Sequence, residues 1–199
     1  MRLFVGIALP ASIRERLLIL MGGLKGARWR RDDQLHITLR FLGEVDGATA
    51  EDLDEALAAI RMAPFTIRLK GMGLFGSLGD PRILWTGTEP EEELRRLQEK
   101  VERRVTDLGL VAEGRKFSPH VTLARFGGAR FGGIRSARVG RRRNPDKIVS
   151  GLGEFVKAHA DFETPDFEVS DFALYSSVLG SGGATYRIEV DYPLGTSST

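Results

Sequence analysis

The sequence predicts an α+β fold: a bilobal, duplicated α+β unit, with two antiparallel sheets flanking a central cleft and helices outside. Three observations carry that prediction. Stretches of apolar alternation, the mark of half-buried strands, are interspersed with segments whose apolar residues recur at helical spacing. The frame His-x-Thr-Leu occurs twice, as His36-Ile37-Thr38-Leu39 and His120-Val121-Thr122-Leu123, about half the chain apart. Each copy lies on a strand with a helix and further strands around it, as a repeated unit would. At 199 residues the chain can bury a substantial core, and residues 1–199 read as one bilobal domain.

Taken in order, Leu3–Leu9 alternates as a strand, and Pro10 opens a helix with Ile13, Leu17, Leu20 and Met21 on one face. Gly22, Gly23 and Gly26 close it. Leu35–Leu42 is the first motif strand, ended by Gly43. Thr49 is placed to cap a second helix carrying Leu53, Ala56, Leu57 and Ile60, which Pro64 stops. Phe65–Leu74 and Arg82–Thr86 read as strands around the turn-rich Gly76–Pro81. Thr88 and Glu91 have capping-box spacing before a third helix with the stripe Leu94, Leu97, Val101, Val105 and Leu108. Lys116–Arg125 carries the second motif. Gly127–Asn144 reads as a basic surface loop, Pro145–Ala160 as a weaker fourth helix, and Phe167–Ser176 and Ala184–Val190 as closing strands around the turn Gly180–Gly183. Leu194–Thr199 reads as a frayed tail.

Composition is that of a globular protein, 42% hydrophobic and 28% charged. The formal charge is only +2, but its distribution is uneven. Seven arginines and no acid lie between Arg125 and Arg143, while acids gather in Glu44–Glu55 and Glu89–Glu102. This asymmetry favours one basic face for an anionic partner, and the loop 127–144 reads either as a basic arm over that face or as a solvated loop. With no cysteine, disulfides, thiolate catalysis and Cys-ligated zinc are excluded. The apolar start Leu3–Leu9 is short for a signal peptide, and no stretch approaches the ~20 apolar residues of a membrane span. A cytoplasmic monomer is expected.

Two of the three histidines share one frame. In a strand residues i and i+2 share a face, so each His stands beside its own Thr. Two such strands side by side would set two imidazoles and two hydroxyls around one point, a cradle for phosphate. Threonine hydroxyls donate hydrogen bonds to phosphate oxygens, one imidazole takes a proton and the other gives one. A cyclic phosphodiester suits such a pair, because its leaving oxygen must gain a proton. Neither motif strand carries Asp or Glu on the His face, so no metal site is expected, and no Gly-x-Ser-x-Gly elbow supports serine hydrolysis.

The paired motifs resemble those of the 2H phosphoesterase superfamily. Their surroundings, Met1-Arg2-Leu3-Phe4-Val5, Leu35–Gly43 and Ser118–Arg125, are similar to the RNA 2′,3′-cyclic phosphodiesterase branch, also called the bacterial 2′-5′ RNA ligase. The resemblance implies a bilobal α+β fold without metal or other cofactor. It implies RNA with a 2′,3′-cyclic phosphate end as partner, hydrolysis to a 2′-phosphomonoester, and weak reversible 2′-5′ joining of RNA ends. It assigns function to His36, Thr38, His120 and Thr122, and extends to Arg125. Within the pair, His36 is assigned as proton donor and His120 as proton acceptor, with the swap left open. Phe4 and Trp29 are candidates to line a nucleotide pocket, as are Tyr175 and Tyr186, with core packing the alternative. Two other readings stay open: a relative acting on a small cyclic phosphate such as ADP-ribose 1″,2″-cyclic phosphate, and a nucleotide or RNA-end binder without turnover.

Overall fold

A computed structural model describes residues 1–127, 151–180 and 183–195. The basic loop 127–144, beyond its first residue, lies outside the described residues, as do the start of the expected fourth helix and the end of the tail. The described elements are β1 (Arg2–Ala8), α1 (Ala11–Leu20), β2 (Ala27–Trp29), a 3-10 turn (Asp32–Gln34), β3 (His36–Glu44), α2 (Gly47–Ala58), β4 (Phe65–Ser77), β5 (Asp80–Glu89), α3 (Glu92–Asp107), β6 (His120–Phe126), α4 (Leu152–Ala158), β7 (Phe167–Val169), β8 (Asp171–Gly180) and β9 (Gly183–Pro193).

Among the described residues every strand pairing is antiparallel. The order is β7-β4-β5-β6-β3-β1-β8-β9, with β2 also on β6. The two expected sheets are therefore the two halves of one curled sheet, and the seam between them is narrow. β3 and β6 meet at the single pair Ile37–Val121, because β2 takes the same edge of β6 from Ala124 to Phe126. Beyond that pair the two motif strands part, and the cleft opens between them.

On the convex side a single core joins the sheet to its helices. Ile13 and Leu17 of α1, Leu53 and Leu57 of α2, and Leu94, Leu97, Val101 and Val105 of α3 are buried against Ile7, Ile37, Leu39, Val121 and Leu123. Each such side chain contributes about 1.5–3 kcal/mol by leaving water. The cleft side is held by a smaller cluster, Phe4, Ala173 and Tyr175, with Tyr186 packed on it.

Several local expectations change. Thr49 does not cap α2; Asp46 does, its carboxylate accepting the Thr49 N–H at 2.8 Å. An ionised carboxylate is the stronger acceptor for an orphan helix-terminal donor. No capping box opens α3: Thr88 belongs to β5, and the helix begins four residues later at Glu92. Pairing of β4 with β5 extends both strands well past the expected boundaries. Phe167–Ser176 is two strands, split at Ser170. The short β2 lies hidden in the polar run after α1, where the sequence predicts no strand.

Candidate active site

The seam sets the geometry. Ile37 and Val121 point into the core, fully buried, so their neighbours face the cleft. Continuing that antiparallel register sets His36 across from Thr122, and Thr38 across from His120. All four line one cavity of about 500 Å³, together with Phe4, Arg30, Gln34, Phe75, Arg125 and Tyr186.

Each imidazole is locked in one tautomer by a backbone carbonyl two residues upstream. His36 Nδ1 lies 2.9 Å from the Gln34 carbonyl, and His120 Nδ1 lies 2.7 Å from that of Ser118. A carbonyl only accepts, so Nδ1 carries the proton and Nε2 is the reactive nitrogen. Nε2 of His36 is 3.1 Å from Thr38 Oγ1, placed to accept the hydroxyl proton. The turn under His36 is itself fixed, since the buried Gln34 amide donates to the Ala184 carbonyl at 2.6 Å.

A β-bulge occurs at the same place in both motifs. Pairing of β1 with β3 passes from Val5–Arg40 to Gly6–Thr38, skipping Leu39. Pairing of β5 with β6 passes from Leu84–Ala124 to Trp85–Thr122, skipping Leu123. The extra residue reverses the alternation, so the residue five after each His returns to the cleft. In the second motif that residue is Arg125, and in the first it is Phe41.

The site is cationic and partly dry. Burial, the neighbouring Arg30 and His120, and Arg125 lower His36 to about 4, against the pull of the Gln34 carbonyl. Burial first, then Arg125, also lowers His120. Arg125 itself falls to about 10, through burial and then the repulsion of Arg30. Arg30 is lowered too, chiefly by burial, while a hydrogen bond to Tyr186 opposes the shift. Cations held close enough to repel one another favour an entering anion, which relieves that repulsion.

Arg30 and Gln34 escaped the sequence reading. Both precede the first motif in a polar run with no periodicity, and only the pairing of β2 with β6 brings Arg30 to the cleft. Its N–H donates to the Leu123 carbonyl at 2.8 Å, continuing that pairing. The same alternation corrects the expectation for Trp29. It lies opposite Ala124 and turns to the other face, packing on Phe155 of α4 at 5.8 Å instead of lining the cavity. Phe4 borders the cavity but is only 2% exposed. Its ring lies 4.7 Å from Tyr175, stacked, and 4.8 Å from His36, so it supports the imidazole and presents no open face to a base. Tyr175 is buried behind it, whereas Tyr186 lines the cavity edge-on to His36.

Among the described residues, no group of three His, Cys, Asp or Glu side chains is placed to hold a metal ion, and no helix is long and apolar enough to cross a membrane.

Known proteins resemble this chain over most of its length. An RNA 2′,3′-cyclic phosphodiesterase of Aeropyrum pernix is 39% identical over 157 residues, covering 78% of this chain and 80% of its own length. One of Archaeoglobus fulgidus is 32% identical over 190 residues, covering 94% and 97%. Among solved structures, Escherichia coli LigT complexed with 3′-AMP superposes with a TM-score of 0.72 at 27% identity, covering 97% of each chain. The structure of TT0787 of Thermus thermophilus gives a TM-score of 0.74 at 27% identity, covering 99% and 100%. The family LigT like Phosphoesterase matches residues 7–85 and again 87–186, one match for each motif-bearing half. The chain belongs to the LigT-like phosphoesterase family, within the 2H phosphoesterases.

Proposed function

We propose that this chain is an RNA 2′,3′-cyclic phosphodiesterase that opens the cyclic phosphate to a 2′-phosphomonoester by two-histidine acid–base catalysis. The observation that carries the reading is the pair of imidazoles, each with Nδ1 held on a carbonyl, lining one cleft with Arg30 and Arg125. The names of the relatives support the substrate class.

In the proposed reaction His120 Nε2 takes a proton from water as the water oxygen attacks phosphorus. The P–O3′ bond breaks, and the leaving O3′ receives the proton of His36 Nε2. Thr38 and Thr122 donate to non-bridging oxygens, and Arg30 and Arg125 balance the charge that builds on the phosphoryl group. The positive charge a metal would bring is thus carried by arginines. The bound phosphate anion raises both imidazoles, so that one is charged when substrate is present. In this reading His36 takes the acid role and His120 the base role; each presents Nε2, with Nδ1 held on a carbonyl. With the 5′-hydroxyl of a second RNA attacking in place of water, the same departure of O3′ would join RNA ends through a 2′-5′ linkage.

The test is hydrolysis of an oligoribonucleotide ending in a 2′,3′-cyclic phosphate, with the product resolved by 31P NMR. A 2′-monophosphate, formed at the same rate with and without EDTA, is expected. A 3′-monophosphate, or loss of activity on chelation with recovery on adding a divalent ion, would overturn the reading.

A further inference from the structure

The two motifs are alike up to the fifth residue after each His, where the same bulge turns Phe41 into the cleft on one side and Arg125 on the other. The cleft therefore has two unlike ends. Arg125 and Arg30 gather at the histidines. Phe41 stands further out, its ring 5.9 Å from that of Phe4, which in turn touches His36. Phe41 is 45% exposed and lines the same cavity as the histidines, so part of its ring is open to a ligand held there.

Resting on the phosphodiesterase reading above, the structure assigns the outer end of the cleft, Phe41 with Arg2 and Arg115, as a subsite for the nucleotide that precedes the cyclic-phosphate end. Phe41 is the stacking surface for its base, and the arginines lie with the phosphodiester that links it to the terminal nucleotide. The terminal nucleoside has a platform of its own in Phe75, whose ring lies 4.9 Å from His120. An open aromatic face beside guanidinium groups is the usual means of holding single-stranded nucleic acid without reading its sequence.

Arg115 is placed for this work. Glu113 engages its Nε and Nη2 at 3.0 Å each, which orients the guanidinium and leaves the Nη1 edge for a phosphate. The segment that carries it is tied down at three points. Arg40 donates to the Val111 carbonyl, the Glu113 N–H donates to Glu102 at 2.8 Å, and Arg95 donates to the Phe117 carbonyl at 2.8 Å.

The experiment compares kcat/KM on a mononucleotide 2′,3′-cyclic phosphate and on a dinucleotide with the same end, in the wild type and in Phe41→Leu, which keeps apolar volume but removes the ring. The wild type should prefer the dinucleotide by at least about tenfold, the scale of one stacked base. Phe41→Leu should remove most of that preference. A wild-type ratio near one, or equal losses on both substrates in the variant, would overturn the subsite; equal losses would place the terminal base on Phe41. An independent readout is binding of an oligonucleotide carrying 2-aminopurine at the penultimate position. Its fluorescence should be quenched by the wild type and much less by Phe41→Leu. Quenching in both proteins alike would overturn the assignment even if no cyclic phosphate were hydrolysed, whereas absent hydrolysis alone would count against the phosphodiesterase reading.

Discussion

At the scale of single residues, the chemistry rests on where protons sit. His36 is neutral in the unliganded protein down to about pH 4, because charging it means desolvating an ion beside Arg30 and near Arg125 and His120. The rings around it, Phe4, Tyr175 and Tyr186, supply no compensating charge. The sign for stability follows. Unfolded chains protonate this histidine near its ordinary 6.5, the folded protein only near 4, so its contribution to stability falls as pH drops through that window. Arg30→Met removes one of the charges that depress it. A 13C or 15N NMR titration should therefore find the His36 midpoint raised in the variant, though still below 6.5 because burial remains the larger cause. The variant should also lose roughly tenfold or more in kcat/KM, since it weakens the cation pair facing the phosphoryl group. An unmoved midpoint would show that Arg30 does not face His36.

At the scale of elements, two devices build the cleft, the bulges and the close approach of β1 to β3. Gly6 sits opposite Thr38, where a Cβ would come 2.9 Å from the Ile37 carbonyl, in the peptide that joins Ile37 to Thr38. Gly6→Ala must push that carbonyl aside and move both motif residues with it. The expected result is a loss of about 1–3 kcal/mol in denaturant unfolding, as for overpacking, and a drop in kcat larger than the stability loss explains. Unchanged kcat in a folded variant would mean that the strand yields without moving its side chains. The devices also explain what was legible beforehand. The His-Thr offsets, the apolar helix stripes and the two similar halves are local patterns, readable from spacing. The bulges are not, because skipping Leu39 or Leu123 is decided by the partner strand. Hence Arg125 could be singled out only by resemblance, Phe41 reads as an ordinary strand residue, and Trp29 lies on a strand of three residues, too short to show an alternation that would tell its face. Thr49 and Thr88 fit capping patterns, but a neighbouring carboxylate and a longer strand displaced them.

At the scale of the molecule, the halves meet through one strand pair, and Arg40 reinforces the join. It leaves the bulge of β3, is 8% exposed, and pairs with Glu102 of α3 at 2.7 Å. Its Nη1 donates to the Phe41 carbonyl at 2.9 Å and lies 3.9 Å from Glu113. One side chain thereby links the first motif strand to the helix and segment that lead into the second motif. Removing one partner of such a buried pair leaves the other charge uncompensated. Arg40→Ala is expected to lose about 3–5 kcal/mol, a fall in Tm of roughly 10 °C for a chain of this size. Thermal unfolding followed by circular dichroism checks it, and a shift within about 2 °C would assign the join to the core alone.

The proposed reaction requires the two histidines to act as one unit. Single-turnover rates on a cyclic-phosphate-ended oligonucleotide for His36→Ala, His120→Ala and the double variant test it most directly. Each single substitution should cost at least about 10²-fold, with near-native circular dichroism. The double variant should be little slower than the worse single one, because groups that serve one transition state are not additive. Near-native turnover in either single variant, or losses that multiply in the double, would contradict the account.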